Sequence, residues 1–348
     1  MSHSAHSLIS SARDEFRRGE YHAAVEHFAE VAALARAAGL TEQELNALGW
    51  IPPALANAGE WSASADAVSR LTRRSEELGN ERYVMHAILR RAEVLEQIDF
   101  PNHWERLKPE LMNGLAIARR LGDTYFEHYY LMRMGGLAAR AGEFEQGRAW
   151  LDEVLARAGL RATNACYLRF MAHGYLSNLM VRLGRLAAAV VHGRLALRHA
   201  RASGNPHFLT DARMMLVEAL TEAGRAERAL DQAELALSDA LKMSWRFEEQ
   251  RAEFWRAEIL RRLDRANEAV GAARRALDLA REMGLREREV ECLIRLARAQ
   301  QACGQCADAA RTAEQAAWLA RARHYTELGV QAAELIAVRS GQRGADDE

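Results

Sequence analysis

The chain has 348 residues, 49% of them apolar and 27% charged, with a formal net charge of −1. This balance describes a globular chain with a sizeable core and excludes the broad phosphate-binding surface of a general nucleic-acid protein. Lysine occurs only at Lys108 and Lys242, which points to a GC-rich genome; five prolines point to helix, and four cysteines to a reducing cytoplasm.

In chain order, one short motif recurs: "RGEY" at Gly19, "AGEW" at Gly59, "AGEF" at Gly142, "LGRL" at Gly184, "AGRA" at Gly224, "LDRA" at Asp264 and "CGQC" at Gly304. Most neighbours are forty residues apart, and the double interval from Gly59 to Gly142 hides one more turn near Asp99. A small residue stands five after each turn (Ala24, Ser64, Gly147, Ala189, Ala229, Ala269, Ala309), and a second break follows at Gly39, Gly79, Gly204 and Gly284. Stretches with apolar side chains at helical spacing fill the intervals, so each unit reads as helix, turn, helix, turn, with no strand.

Two places break the pattern. Pro52 and Pro53 in "GWIPPALANAG" should bend or restart the first helix of unit two, and "DFPNHWERLKPE" interrupts unit three, making 50–53 and 99–110 irregular. A last helix from Tyr325 to Ser340 should cap the array, leaving 341–348 as a polar tail. "MSHSAHSLIS" lacks the features of a signal peptide and no apolar run is long enough to span a membrane, so a cytoplasmic protein is expected.

These residues resemble the tetratricopeptide repeats. The turn pattern, the small residue five after it, those twelve after it (Ala196, Ala236, Ala276, Ala316) and those seven before it (Ala12, Gly135, Ser177, Ala257, Ala297) all match, across roughly residues 7–323. The absent closing proline and the forty-residue unit are similar to the long-repeat branch, which includes kinesin light chains, spindle-orientation adaptors and sensor domains of bacterial activators. The resemblance implies an all-α, right-handed superhelical solenoid of about eight helix–turn–helix repeats plus a capping helix, one unit over 1–340.

The resemblance also implies that first helices line a concave groove at positions 13, 10, 6, 3 and 2 before each turn. That selects Tyr129, Met132, Gly136 and Arg140 in one unit and Met171, Gly174, Asn178 and Arg182 in the next, with Arg251 further on. Gly135 is expected to serve close packing. Gly136 and Gly174 are expected to open a hollow for a ligand, which flexible methionines and bidentate arginines would contact; the alternative is that the superhelix fills this hollow itself. As groove residues, Arg140 and Arg182 should be reversible in charge without loss of stability.

Other signals are assigned to structure. Cys303 and Cys306 of "CGQC" occupy turn-packing positions, and His86, His128 and His173 read as polar lining. Trp61 and Trp318 are expected in the core, Trp245 and Trp255 exposed. No catalytic, metal or cofactor motif stands out. The expected function is a protein-binding scaffold or adaptor that holds a peptide or helix in the groove, without nucleic acid or membrane. The alternative is a regulatory sensor for a small ligand or signalling peptide. Self-association through the last repeat remains open.

Overall fold

The computed structural model describes residues 2–157 and 165–346, with side chains described between residues 8 and 337. Among the described residues, seventeen α-helices follow one another and no strand occurs. They pair as α1 (Ser2–Arg18) with α2 (Tyr21–Ala37), α3 (Thr41–Asn57) with α4 (Trp61–Glu77), α5 (Glu81–Ile98) with α6 (Trp104–Arg120), and α7 (Thr124–Arg140) with α8 (Phe144–Arg157). Then come α9 (Ala165–Arg182) with α10 (Leu186–Ala202), α11 (Pro206–Glu222) with α12 (Ala226–Met243), α13 (Arg246–Arg262) with α14 (Ala266–Glu282), and α15 (Arg286–Ala302) with α16 (Cys306–Ala322). The last helix, α17 (Thr326–Asp346), continues beyond Ser340 and covers α16 through Leu328, Leu335 and Ile336.

The turn glycines earn their positions through backbone geometry. Gly19, Gly59, Gly142, Gly184, Gly224 and Gly304 all have positive φ, as do the second-break glycines Gly39, Gly79, Gly204 and Gly284. Each ends a helix in the left-handed conformation that costs a residue with a Cβ about 1–2 kcal/mol. Asp264 takes the same conformation without being glycine. After several second breaks the next residue caps the following helix: Asn80 accepts from the Tyr83 N–H, Asp123 from Phe126 and Asn205 from His207.

Small residues set how closely the paired helices approach. Ala24, Ala189 and Ala229 are fully buried, and the Ser64 and Ser177 hydroxyls donate across the pair to the carbonyls of Pro52 and Ala189, each at 2.9 Å. A Cβ on Gly135 would lie 2.7 Å from Leu151 and 3.0 Å from the Gly147 carbonyl oxygen, so this glycine serves close packing as expected. The prolines of α3 do not restart the helix: it runs unbroken through Pro52 and Pro53, with Ile51 and Leu55 packed beside Phe28, Ala24 and Ala12. The third-unit turn lies at Asp99, followed by the short 3-10 segment Phe100–Asn102.

The array curls until its edges meet. The α1–α2 turn rests on the start of α13, where Tyr21 and Phe16 cluster with Ala240, Met243 and the buried Trp245. The α3–α4 turn follows, with Gly59 against Met283 and Trp61 edge-on to Phe247 at 5.2 Å. The α5–α6 turn completes the seam: Tyr325 donates its hydroxyl to Asp99 at 2.6 Å and Asn102 donates to the Arg323 carbonyl at 2.9 Å, while Arg140 at the end of α7 pairs with Glu287 of α15. Two aromatic expectations change as a result. Trp245, expected exposed, is buried in the seam, whereas Trp318, expected in the core, is 64% exposed on the outer face of α16.

Two predictions follow from the seam's geometry. Alanine at Gly224 meets nothing within 4 Å and should cost only the backbone strain, about 1 kcal/mol in urea unfolding. Alanine at Gly19 would also place its Cβ 2.7 Å from the Trp245 indole nitrogen, raising the loss to about 2–3 kcal/mol; equal losses would remove the seam from the account. Glu287 is raised from 4.5 to about 6 because burial outweighs the attraction of Arg140, with Glu291 and Asp99 adding repulsion. The folded state therefore holds the proton more tightly than the unfolded chain. Its stabilising contribution is complete below pH 4.5 and is lost as pH rises through 6, about 2 kcal/mol, a slope that Glu287→Gln should abolish in urea titrations across that range.

Candidate binding chamber

Curling turns the concave groove into a chamber of about 1190 Å³, walled by residues from every odd-numbered helix from α1 to α15. Its inward stripe follows a simple register. Along this stripe α7 contributes Tyr129, Arg133, Gly136 and Arg140, α9 contributes Met171, Tyr175, Asn178 and Arg182, and α11 contributes Asp211, Met215 and Glu218, with further residues lining the chamber on either side. Side chains thirteen, nine, six and two residues before the turn therefore point inward, at spacings of four, three and four.

This register corrects two sequence expectations. Met132 and Gly174 lie ten before their turns and do not line the chamber; Met132 is fully buried in the core. The residues one position later, Arg133 and Tyr175, take their place. Arg133, Tyr175, Met215, Trp255 and Arg295 were missed together, because all occupy the same repeat position. Tyr129, Gly136, Arg140, Met171, Asn178, Arg182 and Arg251 do line the chamber.

Of the two readings of Gly136 and Gly174, the structure matches the second: the next repeat fills the hollow. A Cβ on Gly136 would sit 2.6 Å from the Tyr175 ring, and one on Gly174 would overlap the Met215 sulfur. Tyr175 is fixed further by Arg133, which donates to its hydroxyl at 2.6 Å and also pairs with Glu96. Gly136 is thus a seat for an aromatic ring. Arg140 is likewise a tie: it pairs with Glu287, donates to the Glu96 carbonyl at 2.7 Å and lies 4.6 Å from the Phe100 ring. Its charge reversal would therefore break the seam, contrary to the sequence expectation. Arg182 is exposed, and among the described residues only the Phe144 ring approaches its guanidinium, at 5.7 Å.

One wall is aromatic. Tyr129 stacks on Tyr167 at 5.7 Å, and Tyr167 meets Phe208, which stacks on Phe170 at 5.2 Å. Tyr129 donates its hydroxyl to Glu93 at 2.6 Å, and burial raises its pKa. The opposite wall combines Phe254 and Trp255 with Arg251, Arg288 and Arg295. Nine arginines line the chamber against six carboxylates, a local positive excess in a chain whose net charge is −1. Trp255, expected exposed, is half-buried in this wall. His86, His128 and His173 lie outside the lining; His86 stacks on Phe126 at 4.2 Å, and His173 faces His192 across 3.1 Å. Among the described residues no group of three His, Cys, Asp or Glu is placed to hold a metal ion, and Cys303 donates to Asn267 at 2.8 Å.

The seat at Gly136 can be tested by a double-mutant cycle. Gly136→Ala should lower stability by about 1–3 kcal/mol, because the Tyr175 ring must leave its place. Adding the loss from Tyr175→Ala should overestimate the double variant by more than 0.5 kcal/mol, the coupling expected of touching groups. Additive losses in urea unfolding would show that Gly136 has another role.

No protein-family model matches the chain, and no curated protein matches it. Solved structures do. A Rap protein complexed with competence and sporulation factor superposes with a TM-score of 0.63 at 12% identity, covering 99% of this chain and 100% of that one. The tetratricopeptide-sensor STAND protein from Pyrococcus horikoshii gives a TM-score of 0.56 at 12% identity over 90% of this chain and 43% of its own. Aspartyl phosphate phosphatase F from Bacillus subtilis gives 0.51 at 12% identity, over 97% and 94%. With the forty-residue unit, the antiparallel helix pairs and the turn glycines, these likenesses establish that the chain has the tetratricopeptide-type helical-repeat fold.

Proposed function

We propose that this protein is a regulatory sensor whose chamber holds a small ligand or short peptide, and that occupancy acts on the seam to alter the surface offered to a protein partner. The observation that carries this reading is the curled groove, whose edges meet along the seam. Ligand pockets commonly measure about 300–1,000 Å³, and the chamber's volume is about 1190 Å³. The scaffold reading, in which a partner's peptide or helix is held in the groove, uses the same lining residues, and the test below separates the two. The Rap likeness concerns a protein solved with a bound factor, and it supports the chamber as the place to look.

The seam is suited to respond because lining residues also hold it. Arg140 faces the chamber and pairs with Glu287, and Arg133 connects Tyr175 to Glu96, whose carbonyl accepts from Arg140. A ligand that competes for either arginine changes the contact between α7 and α15. No chemistry on the ligand is assigned to the chain. No helix among the described residues is long and apolar enough to cross a membrane.

The test is a thermal-shift screen of short synthetic peptides and metabolites on wild type and Asn178→Trp. Asn178 lines the chamber and its side-chain oxygen is buried without a partner, so tryptophan there should occupy ligand space. Ligands should raise the wild-type Tm by several degrees, leave the variant unmoved and slow amide exchange at 99–103. Hits that shift both proteins equally, or binding confined to long helical peptides, would overturn the sensor reading.

A further inference from the structure

Resting on the chamber as the ligand site, we infer that its ligand carries an oxyanion, a carboxylate or phosphoryl group, received by the guanidinium of Arg295 with Arg288 beside it and Phe254 and Trp255 beneath. Most lining arginines are already engaged: Arg17 by Asp14, Arg90 by Glu93, Arg133 by Glu96, Arg140 by Glu287, Arg251 by Asp211 and Arg288 by Glu291. Arg295 is different. Its side chain is only 14% exposed, yet it makes no hydrogen bond to any described residue. The nearest carboxylate, Glu258, stands 3.9 Å away and is bonded to Arg261 and Arg262 at 2.6–3.0 Å.

What holds Arg295 in place is aromatic. Its guanidinium carbon lies 3.8 Å from the Phe254 ring centroid and 4.4 Å from that of Trp255, while Arg288 approaches the same Phe254 ring at 4.7 Å. Contact with a ring satisfies the face of a guanidinium but not the five N–H donors in its plane. Those donors border the chamber and match the two oxygens of a carboxylate or phosphoryl group in bidentate geometry. Burial lowers the Arg295 pKa to about 10, as expected of a buried cation lacking sufficient countercharge.

Glu218 of α11 lines the same region and completes the picture from the opposite side. It makes no hydrogen bond or ion pair among the described residues, burial raises its pKa, and its charge interacts with Arg288, Arg251 and Arg295. It is therefore a nearby competitor for the arginines without being bonded to them, and removing its charge should favour an incoming anion.

The experiment titrates inorganic pyrophosphate in one arm and citrate in the other at constant ionic strength, using calorimetry and tryptophan fluorescence, to which Trp255 contributes. Wild type should bind at least one anion at millimolar concentration or tighter with one-to-one stoichiometry, and the stronger arm identifies phosphoryl or carboxylate chemistry. Arg295→Met should weaken binding more than tenfold, Arg288→Met less, and Glu218→Gln should strengthen it several-fold. Arg311→Met, an exposed arginine paired with Asp308 on the outer helix α16, is the control and should change nothing. If Arg295→Met does not fold, the Glu218→Gln and Arg288→Met results decide. Absence of anion binding to wild type, or affinities unaltered by these chamber substitutions, overturns the anion assignment. Neutral ligands that still distinguish wild type from Asn178→Trp would leave the chamber reading standing.

Discussion

The contact between the two edges of the solenoid governs everything else. A row of helical hairpins normally owes its shape to neighbours alone, because each unit buries its apolar face against the next. Here the turns of the first three units also rest on the sixth to eighth, through Trp245, Met283 and the pair Asp99–Tyr325. That contact converts a groove into a chamber, forces Arg140 to serve both wall and seam, and buries Glu287 deeply enough to raise its pKa. An open array with the same helices would have none of these properties.

The inner wall shows how repeats compensate for one another. Tyr175 needs a place for its ring, and the preceding helix supplies it by having no side chain at Gly136. Met215 makes the same demand on Gly174. Bulk contributed by one unit is thus matched by absence in its neighbour, so the volume of the wall is conserved along the middle of the array. Close packing of this kind resists change in either partner, because added volume strains the wall and removed volume leaves a cavity.

Much of this was legible in the residues. The turns declared themselves because a left-handed helix end favours glycine, and the small positions because touching helices leave no space for larger side chains. Gly135 followed from that rule. The inward register was off by one residue at Met132 and Gly174, because adjacent positions on a helix differ by only about 100° and a stripe inferred from the turn alone does not fix which of the two faces inward. The seam was not legible at all. Trp245, Met283 and Tyr325 meet partners some two hundred residues away, and no local spacing records such a meeting; the same blindness made Trp245 look exposed and Arg140 look free. Nor could spacing reveal that Arg295 lacks a hydrogen-bonding partner, since acidic residues are abundant on every helix.

Joining the edges also gives the array a circumference. In an open solenoid a unit can be gained or lost, and the remainder simply becomes longer or shorter. In this chain the deletion of one middle unit would bring the Asp99 turn opposite a different helix start, and Tyr325 would find no acceptor. The number of repeats between the third and the eighth is therefore a structural constant. Evolution by repeat duplication, the usual route for such folds, is closed across that interval unless the chamber is given up with it.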